Sequence, residues 1–396
     1  MKQIKTIDAV GHVLCHDITQ IIPGKYKGPA FKKGHIVTKE DIPILLSIGK
    51  ENLFVWEKTE GILHEDEAAA ILRDLALGPN MSASEPSEGK IELKAECDGL
   101  FKVSSRALRV INSTPQMMIA TRAGDVPVKA GDKLAGTRII PLVIEKEKMD
   151  VLAQRTREVT GGAGILNLKP FLHRKVGIVT TGSEVYKGRI EDSFTPVLIR
   201  KLEAYDMELV GHETTDDDDR MTTAAIFKLL DQGADLILCT GGMSVDPDDR
   251  TPLAIRNTGA RIVTYGAPVL PGAMFLLSYL DKAKIPGQNP DEVQAGQLSD
   301  AEQAGQSCET EQSSEAVQPG LFPAGTKEGG PTTVICGLPG CVMYAKRTIF
   351  DLLLPRIMAD DPISAEEIYA LGEGGLCLGC ETCTWPNCGF GKGRMI

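Results

Sequence analysis

Short apolar runs that do not alternate with polar residues punctuate the middle of the chain. Val176 to Val179 is one and Asp235 to Cys239 is another. Runs of that length without alternation fit strands covered on both faces, as in a parallel sheet. Thr195-Pro196 and Thr251-Pro252 each place a hydroxyl at a candidate N-cap and a proline at the first helical position. Lys175 to Pro252 therefore reads as strand, glycine turn, helix, strand, helix, strand, glycine turn, helix. Both glycine turns, Thr181-Gly182-Ser183-Glu184 and Thr240-Gly241-Gly242-Met243-Ser244, fall at the carboxyl ends of strands. Open α/β sheets take their ligands at that edge.

The flanking pattern is less regular. Residues 1–170 predict an α+β region with a small sheet. Its helices open at Thr38-Lys-Glu-Asp41, ending near Gly49, and run over Asp66 to Leu77, stopped by Gly78-Pro79. Its strands fall at Leu53 to Trp56, Ile91 to Ala95, Leu108 to Ile111, Met117 to Ala120 and Leu134 to Ile140. Farther on, strands at Met274 to Leu280 and Thr333 to Cys336 bracket a stretch of Gln, Glu, Ser, Gly, Ala and Pro. Residues 285–330 are too poor in large apolar groups to offset ordering and read as a disordered acidic insertion. Gly337-Leu-Pro-Gly-Cys341 leads into a helix predicted over Val342 to Leu354, whose positive end would lower the Cys341 thiol pKa. Ser364-Ala-Glu-Glu367 is a capping box for a short helix ending at Gly372. The fold class expected is α/β for 171–358, a central mostly parallel sheet with helices on both faces. The α+β region precedes it, and a capped helix with a cysteine-rich tail follows at 359–396.

Carboxylates ring the same sheet edge: Glu184 after the first turn, Asp216 to Asp219 after the second strand, and Asp246, Asp248 and Asp249 after the third. Amides around glycine turns favour anions. Acids beside them make sense if a divalent cation lies between carboxylate and phosphate, since Mg2+ is held by one or two carboxylates plus the substrate's phosphates. Most of Asp216 to Asp219 also reads as a solvated loop that caps the next helix.

The pieces TTGSE (Thr180 to Glu184), EDSFTPVL (Glu191 to Leu198), TDD (Thr215 to Asp217), ADLILCTGGMS (Ala234 to Ser244), DPDDRTP (Asp246 to Pro252) and GLPG (Gly337 to Gly340) occur in this order. Together they make Lys175 to Asp281 and Thr333 to Pro355 resemble the molybdopterin-binding domain shared by molybdopterin molybdenumtransferases and adenylyltransferases. The resemblance implies catalytic positions at Glu184, Asp217 and Asp249. It implies a pocket for molybdopterin or its adenylylated form lined by Thr181, Gly182, Ser183, Gly241, Gly242, Ser244, Asp246, Gly337, Pro339, Gly340 and Cys341. The implied function is molybdenum insertion or adenylyl transfer in molybdenum cofactor biosynthesis, with Mg2+ assisting. A non-catalytic carrier that delivers the pterin to a molybdoenzyme apoprotein is the alternative, and a competence- or nicotinamide-salvage-type relative with another substrate is a third. Two departures bear on the reaction: Pro271-Gly272-Ala273-Met274 stands where transferases carry Pro-Gly-Lys-Pro, and Cys341 where they carry Asn. Ala9 to Ile18 and Lys32 to Trp56 also look transferase-like, but the usual Asp-Gly-Tyr-Ala stretch is absent.

Composition narrows the partners. The chain has 396 residues, 42% hydrophobic and 24% charged, which fits two or three globular domains. A net charge of −11 argues against nucleic acid, which needs a basic face. No apolar run approaches the length of a membrane span. The start of the chain shows no signal-peptide core, so a cytoplasmic protein with reduced thiols is expected, as a homo-oligomer. Histidines at positions 12, 16, 35 and 64 match no ligand spacing. Cys377, Cys380, Cys383 and Cys388 do: C-x2-C-x2-C-x4-C resembles a ferredoxin-type iron–sulfur run with one more residue in the last gap, and a tetrathiolate Zn2+ site is the rival.

Overall fold

The computed structural model describes residues 2–55, 60–244, 246, 248–281 and 332–393; the insertion expected at 285–330 lies outside the described residues. The chain divides into two compact units. One takes residues 1–96, 103–122 and 130–167; the other takes 97–102, 123–129 and 168–396. The second unit thus recruits two short segments from ahead of the boundary placed at 170.

The first unit holds an antiparallel sheet in the order Met81–Ala83, Lys90–Ala95, Lys133–Ile139, Met117–Thr121. Its helix Glu65–Ala76 opens on His64, whose ring accepts from the Asp66 amide while the Glu67 carboxylate accepts from His64 N. Leu108 to Ile111, expected as a strand, lies inside a helix, Ser105–Asn112. Ala107 and Ile111, four residues apart, are its buried positions, and Ser104 Oγ accepts from Ala107 N as its cap. Leu108-Arg109-Val110-Ile111, three apolar residues around one arginine, is too short a window to separate the two periods.

In the second unit six strands form one sheet: β1 Arg174–Thr181, β2 Met207–Thr215, β3 Leu236–Thr240, β4 Arg261–Tyr265, β5 Leu276–Asp281 and β6 Thr332–Leu338. The order is β2-β1-β3-β6-β5-β4. The first four are parallel, and β5 and β4 add antiparallel. The unalternating apolar runs follow from two covered faces. Val176, Ile178, Leu236, Leu238, Val334 and Cys336 pack on one side with Leu198 and Leu202 of α1 (Phe194–Leu202). Val179, Ile237, Cys239 and Ile335 pack on the other with Ile226 and Leu229 of α2 (Asp219–Asp231) and Ile255 of α3 (Thr251–Asn257). Asp281 pairs with Thr332, so the strands flanking the insertion meet at their ends.

Three helix starts differ from expectation. Asp192, not Thr195, receives the first amides of α1, from Phe194 at 2.8 Å and Thr195 at 3.1 Å. Thr251 is the first residue of α3, and its hydroxyl donates to Gly241 O at 2.9 Å. The helix expected from Val342 splits into a 3-10 turn, Gly340–Met343, and α4, Ile349–Met358. The reason is a second capping box: Thr348 and Asp351 satisfy each other's amides and start α4 there. Beyond α4, Ser364 and Glu367 cap the helix Ala365–Ala370. Among the described residues no helix is long and apolar enough to cross a membrane.

Candidate functional site at the strand tips

Strand register brings the candidate residues to one edge. Thr180 of β1 pairs with Thr240 of β3, Thr240 with Leu338 of β6, and Thr181 with Thr215 of β2. The turns that follow β1, β3 and β6 therefore leave the sheet side by side. Thr181 Oγ1 donates to Thr240 O at 3.0 Å and lies 3.1 Å from Thr251 Oγ1, tying two tips to α3. Gly241 has φ +81°, and a Cβ there would lie 2.2 Å from Thr181 O; at Gly242, with φ +54°, it would lie 2.8 Å from Thr251 Oγ1. Only glycine fits this cradle. Gly337 of β6 faces Met243, the residue after the cradle.

The carboxylates divide by what they touch. Asp217 Oδ2 accepts from Ser183 N at 2.9 Å, so the loop after β2 supports the first glycine turn. A Cβ on Gly182 would lie 3.2 Å from Glu184 Oε2, which folds that exposed carboxylate back over the turn. Asp249 Oδ2 accepts from Asp246 N at 3.2 Å, closing the loop beyond Ser244. Three other acids are structural: Asp218 caps α2 through Met221 N, Asp219 accepts from Asn257 Nδ2, and Asp216 pairs with Lys187 at 3.1 Å. That hydrogen bond from Lys187 holds the Asp216 carboxyl below its ordinary range.

Three neighbours escaped sequence reading. Tyr265 at the end of β4 donates to Met243 O and Ser244 O, each at 3.2 Å, and so holds the second glycine turn. Burial raises its phenol pKa, and the charge of Asp249 raises it further. His212 Nε2 lies 3.0 Å from Thr180 Oγ1 and 3.3 Å from Asp192 Oδ2, on the α1 side of the sheet. Thr240 Oγ1, on a fully buried residue, has no hydrogen-bond partner among the described residues. By register it faces the same side as Thr180. A signal was present for Thr240, inside ADLILCTGGMS, and for Asp192, inside EDSFTPVL; a histidine and a tyrosine on edge strands carry none.

Cys341 corrects the sequence reading. It sits in a single 3-10 turn instead of at a long helix's start, and burial pushes its thiol above the ordinary value. In the tail, no three of the thiols of Cys377, Cys380, Cys383 and Cys388 lie within 4.8 Å of one another among the described residues. His64, Glu65 and Asp66 do approach that closely, but Lys33 Nζ already occupies the position of a cation, 3.0 Å from His64 Nδ1 and 2.7 Å from Asp66 Oδ2.

Residues 177–359 match a family model described as "Probable molybdopterin binding domain", and residues 3–57 match a domain of unknown function. A molybdopterin molybdenumtransferase of Synechococcus elongatus is 25% identical over 146 residues, 35% of this chain and 36% of that protein. A CinA-like protein of Mycolicibacterium vanbaalenii is 32% identical over 174 residues, 42% of this chain and 37% of that protein. The chain thus spans little more than a third of these relatives. The tungsten cofactor synthesizing protein MoaB of Pyrococcus furiosus is 18% identical over 47% of this chain and 92% of that one, with a TM-score of 0.30. Over residues 177–359, the part that carries the strand-tip turns, this chain is thus similar to the probable molybdopterin-binding domain family.

Proposed function

We propose that the strand-tip edge binds molybdopterin, or adenylylated molybdopterin, and catalyses adenylyl transfer or molybdenum insertion on it. The observation that carries this reading is the Gly241-Gly242 cradle between Thr181 and Thr251, with Asp217 and Asp249 anchored to the amides of the adjoining turns. Main-chain donors and a Thr240 hydroxyl with no hydrogen-bond partner among the described residues suit a phosphorylated heterocycle with its own donors and acceptors. The donor set also fits Mg2+: Asp217 and Asp249 each engage one oxygen with a main-chain amide, and a second oxygen of each carries no hydrogen bond among the described residues. Bound Mg2+ would supply charge neutralisation at the phosphates. The chain's own part is to orient: Tyr265 fixes the turn after β3, and Asp217 fixes the turn after β1. Glu184 and Asp249 are the residues assigned to touch the ligand.

The carrier reading draws on one feature, the exposed Ala273 in the Pro271–Met274 turn where transferases have lysine. The experiment incubates the full chain with molybdopterin and MgATP, and with adenylylated molybdopterin and molybdate. AMP-pterin formation or AMP release is expected in one arm. In that arm Asp249→Asn should be slowed by about a hundredfold or more, with pterin affinity changed only a few-fold, as expected of a group acting mainly in the transition state. Tight pterin binding without either product would replace catalysis by carriage.

A further inference from the structure

From Leu371 to Gly393 the second unit contains no helix or strand, yet the segment is pinned along its length. Cys377 N donates to Leu270 O at 2.8 Å, and Leu270 N donates to Gly375 O at 2.8 Å. Lys346 Nζ donates to the carbonyls of Cys380 and Glu381. The Arg347 guanidinium lies 4.6 Å over the Trp385 ring. Phe390 is buried, and Gly391 packs so closely on Leu352 that a Cβ would lie 2.5 Å away. Irregular segments of this length inside a compact unit are usually functional. All four thiols are unlinked: Cys377 and Cys388 lean on the core, and Cys380 and Cys383 face solvent.

We propose that this loop binds a [4Fe–4S] cluster through Cys377, Cys380, Cys383 and Cys388, beside the 340–347 turn that borders the strand tips. The spacing favours the cluster over zinc: C-x2-C-x2-C-x4-C follows a ferredoxin-type run, whereas tetrathiolate zinc sites pair two C-x2-C units across a longer spacer. Lys346 and Arg347 also bring two cations to the loop, which suits the net negative charge of a centre held by four thiolates.

The site goes beyond the pterin reading and stands without it. Full-length protein purified anaerobically should contain about four iron and four acid-labile sulfide per chain, with a broad visible absorption that dithionite bleaches. Cys380→Ser and Cys383→Ser, at exposed positions that should not disturb folding, should each lose most of that iron, while Cys97→Ser should not. Stoichiometric zinc without sulfide in iron-supplied protein would overturn the proposal, as would iron content unchanged in both tail variants. Molybdopterin binding measured on the same samples separates the two readings, because loss of the cluster with retained pterin affinity fails neither.

Discussion

At the second glycine turn, one hydrogen atom in place of a methyl decides whether two strand tips can meet. The Cβ of an alanine at 241 would lie 2.2 Å from a backbone oxygen, Thr181 O, and that oxygen cannot turn aside as a flexible side chain would. The φ of +81° adds strain for any L side chain. Gly241→Ala is therefore expected to destabilise the chain by about 2–3 kcal/mol, combining overpacking with a left-handed backbone. It should also weaken pterin binding at least tenfold. Gly136→Ala in the first unit, where a Cβ meets nothing within 4 Å, is the control expected to stay near wild type. Urea unfolding of both variants checks the stability claim, and equal midpoints would refute the close-approach account. This residue was legible in the sequence because two adjacent glycines directly after an apolar run mark a sharp turn at a strand's carboxyl end. Tyr265, which holds the same turn from an edge strand, gave no such signal.

Among the elements, the end of α4 is fastened by charge. The Asp361 carboxylate receives Arg356 Nε at 2.6 Å, Lys169 Nζ at 2.7 Å and Lys102 Nζ at 2.9 Å, and is only 9% exposed. Burial alone would raise its pKa, but Arg356, Lys102 and Lys169 outweigh burial and hold the carboxyl far below the usual range. A carboxyl whose folded pKa is depressed stabilises the fold fully above its unfolded pKa of about 3.9 and loses that contribution as pH falls further. Asp361→Asn should thus cost about 3 kcal/mol at pH 7, where it removes the carboxylate shared by three buried or half-buried cations and leaves Lys102 to Asp125 and Arg356 to Glu367. The gap from wild type should narrow steadily below pH 4. Urea midpoints of both proteins across pH 2 to 7 test this, and a gap constant over that range would mean the ion cluster contributes nothing through titration. No local pattern announced the cluster, because its members are separated by up to 259 residues. The parallel strands, in contrast, follow from neighbours in sequence, as Val176 to Val179 and Asp235 to Cys239 show, whereas the caps of α1, α3 and α4 lie away from where local pattern put them. Leu108 to Ile111 was too short a window.

For the molecule as a whole, the same long-range wiring limits where it can be cut. Sequence composition places a boundary near residue 170, because the recognisable pattern begins at Lys175 and the preceding strands look self-sufficient. The second unit nevertheless includes Cys97–Lys102 and Ala123–Lys129. Strand Gly99–Val103 lies between Val126–Val128 and Leu166–Pro170 in a three-stranded sheet, and it carries Lys102 to Asp361. A fragment of residues 171–396 removes that sheet and two of the three cations from a buried carboxylate. It leaves the strand-tip turns untouched, since Thr181, Gly241 and Asp217 find their partners after residue 174. The expectation is a fragment that still binds molybdopterin at saturating concentration but is less stable by about 3 kcal/mol or more, the cost of breaking a buried ion cluster. Trp385 is the only tryptophan left in it, so its fluorescence reports unfolding of this unit; full-length Trp56→Phe provides the matched reference. If the two unfold at the same urea concentration, the segments from the first half are decoration and the boundary at 170 is a physical one. If the fragment is weaker and Lys102→Met in the full chain accounts for a large part of the difference, the fold of the binding domain depends on residues that sequence motifs alone would have discarded.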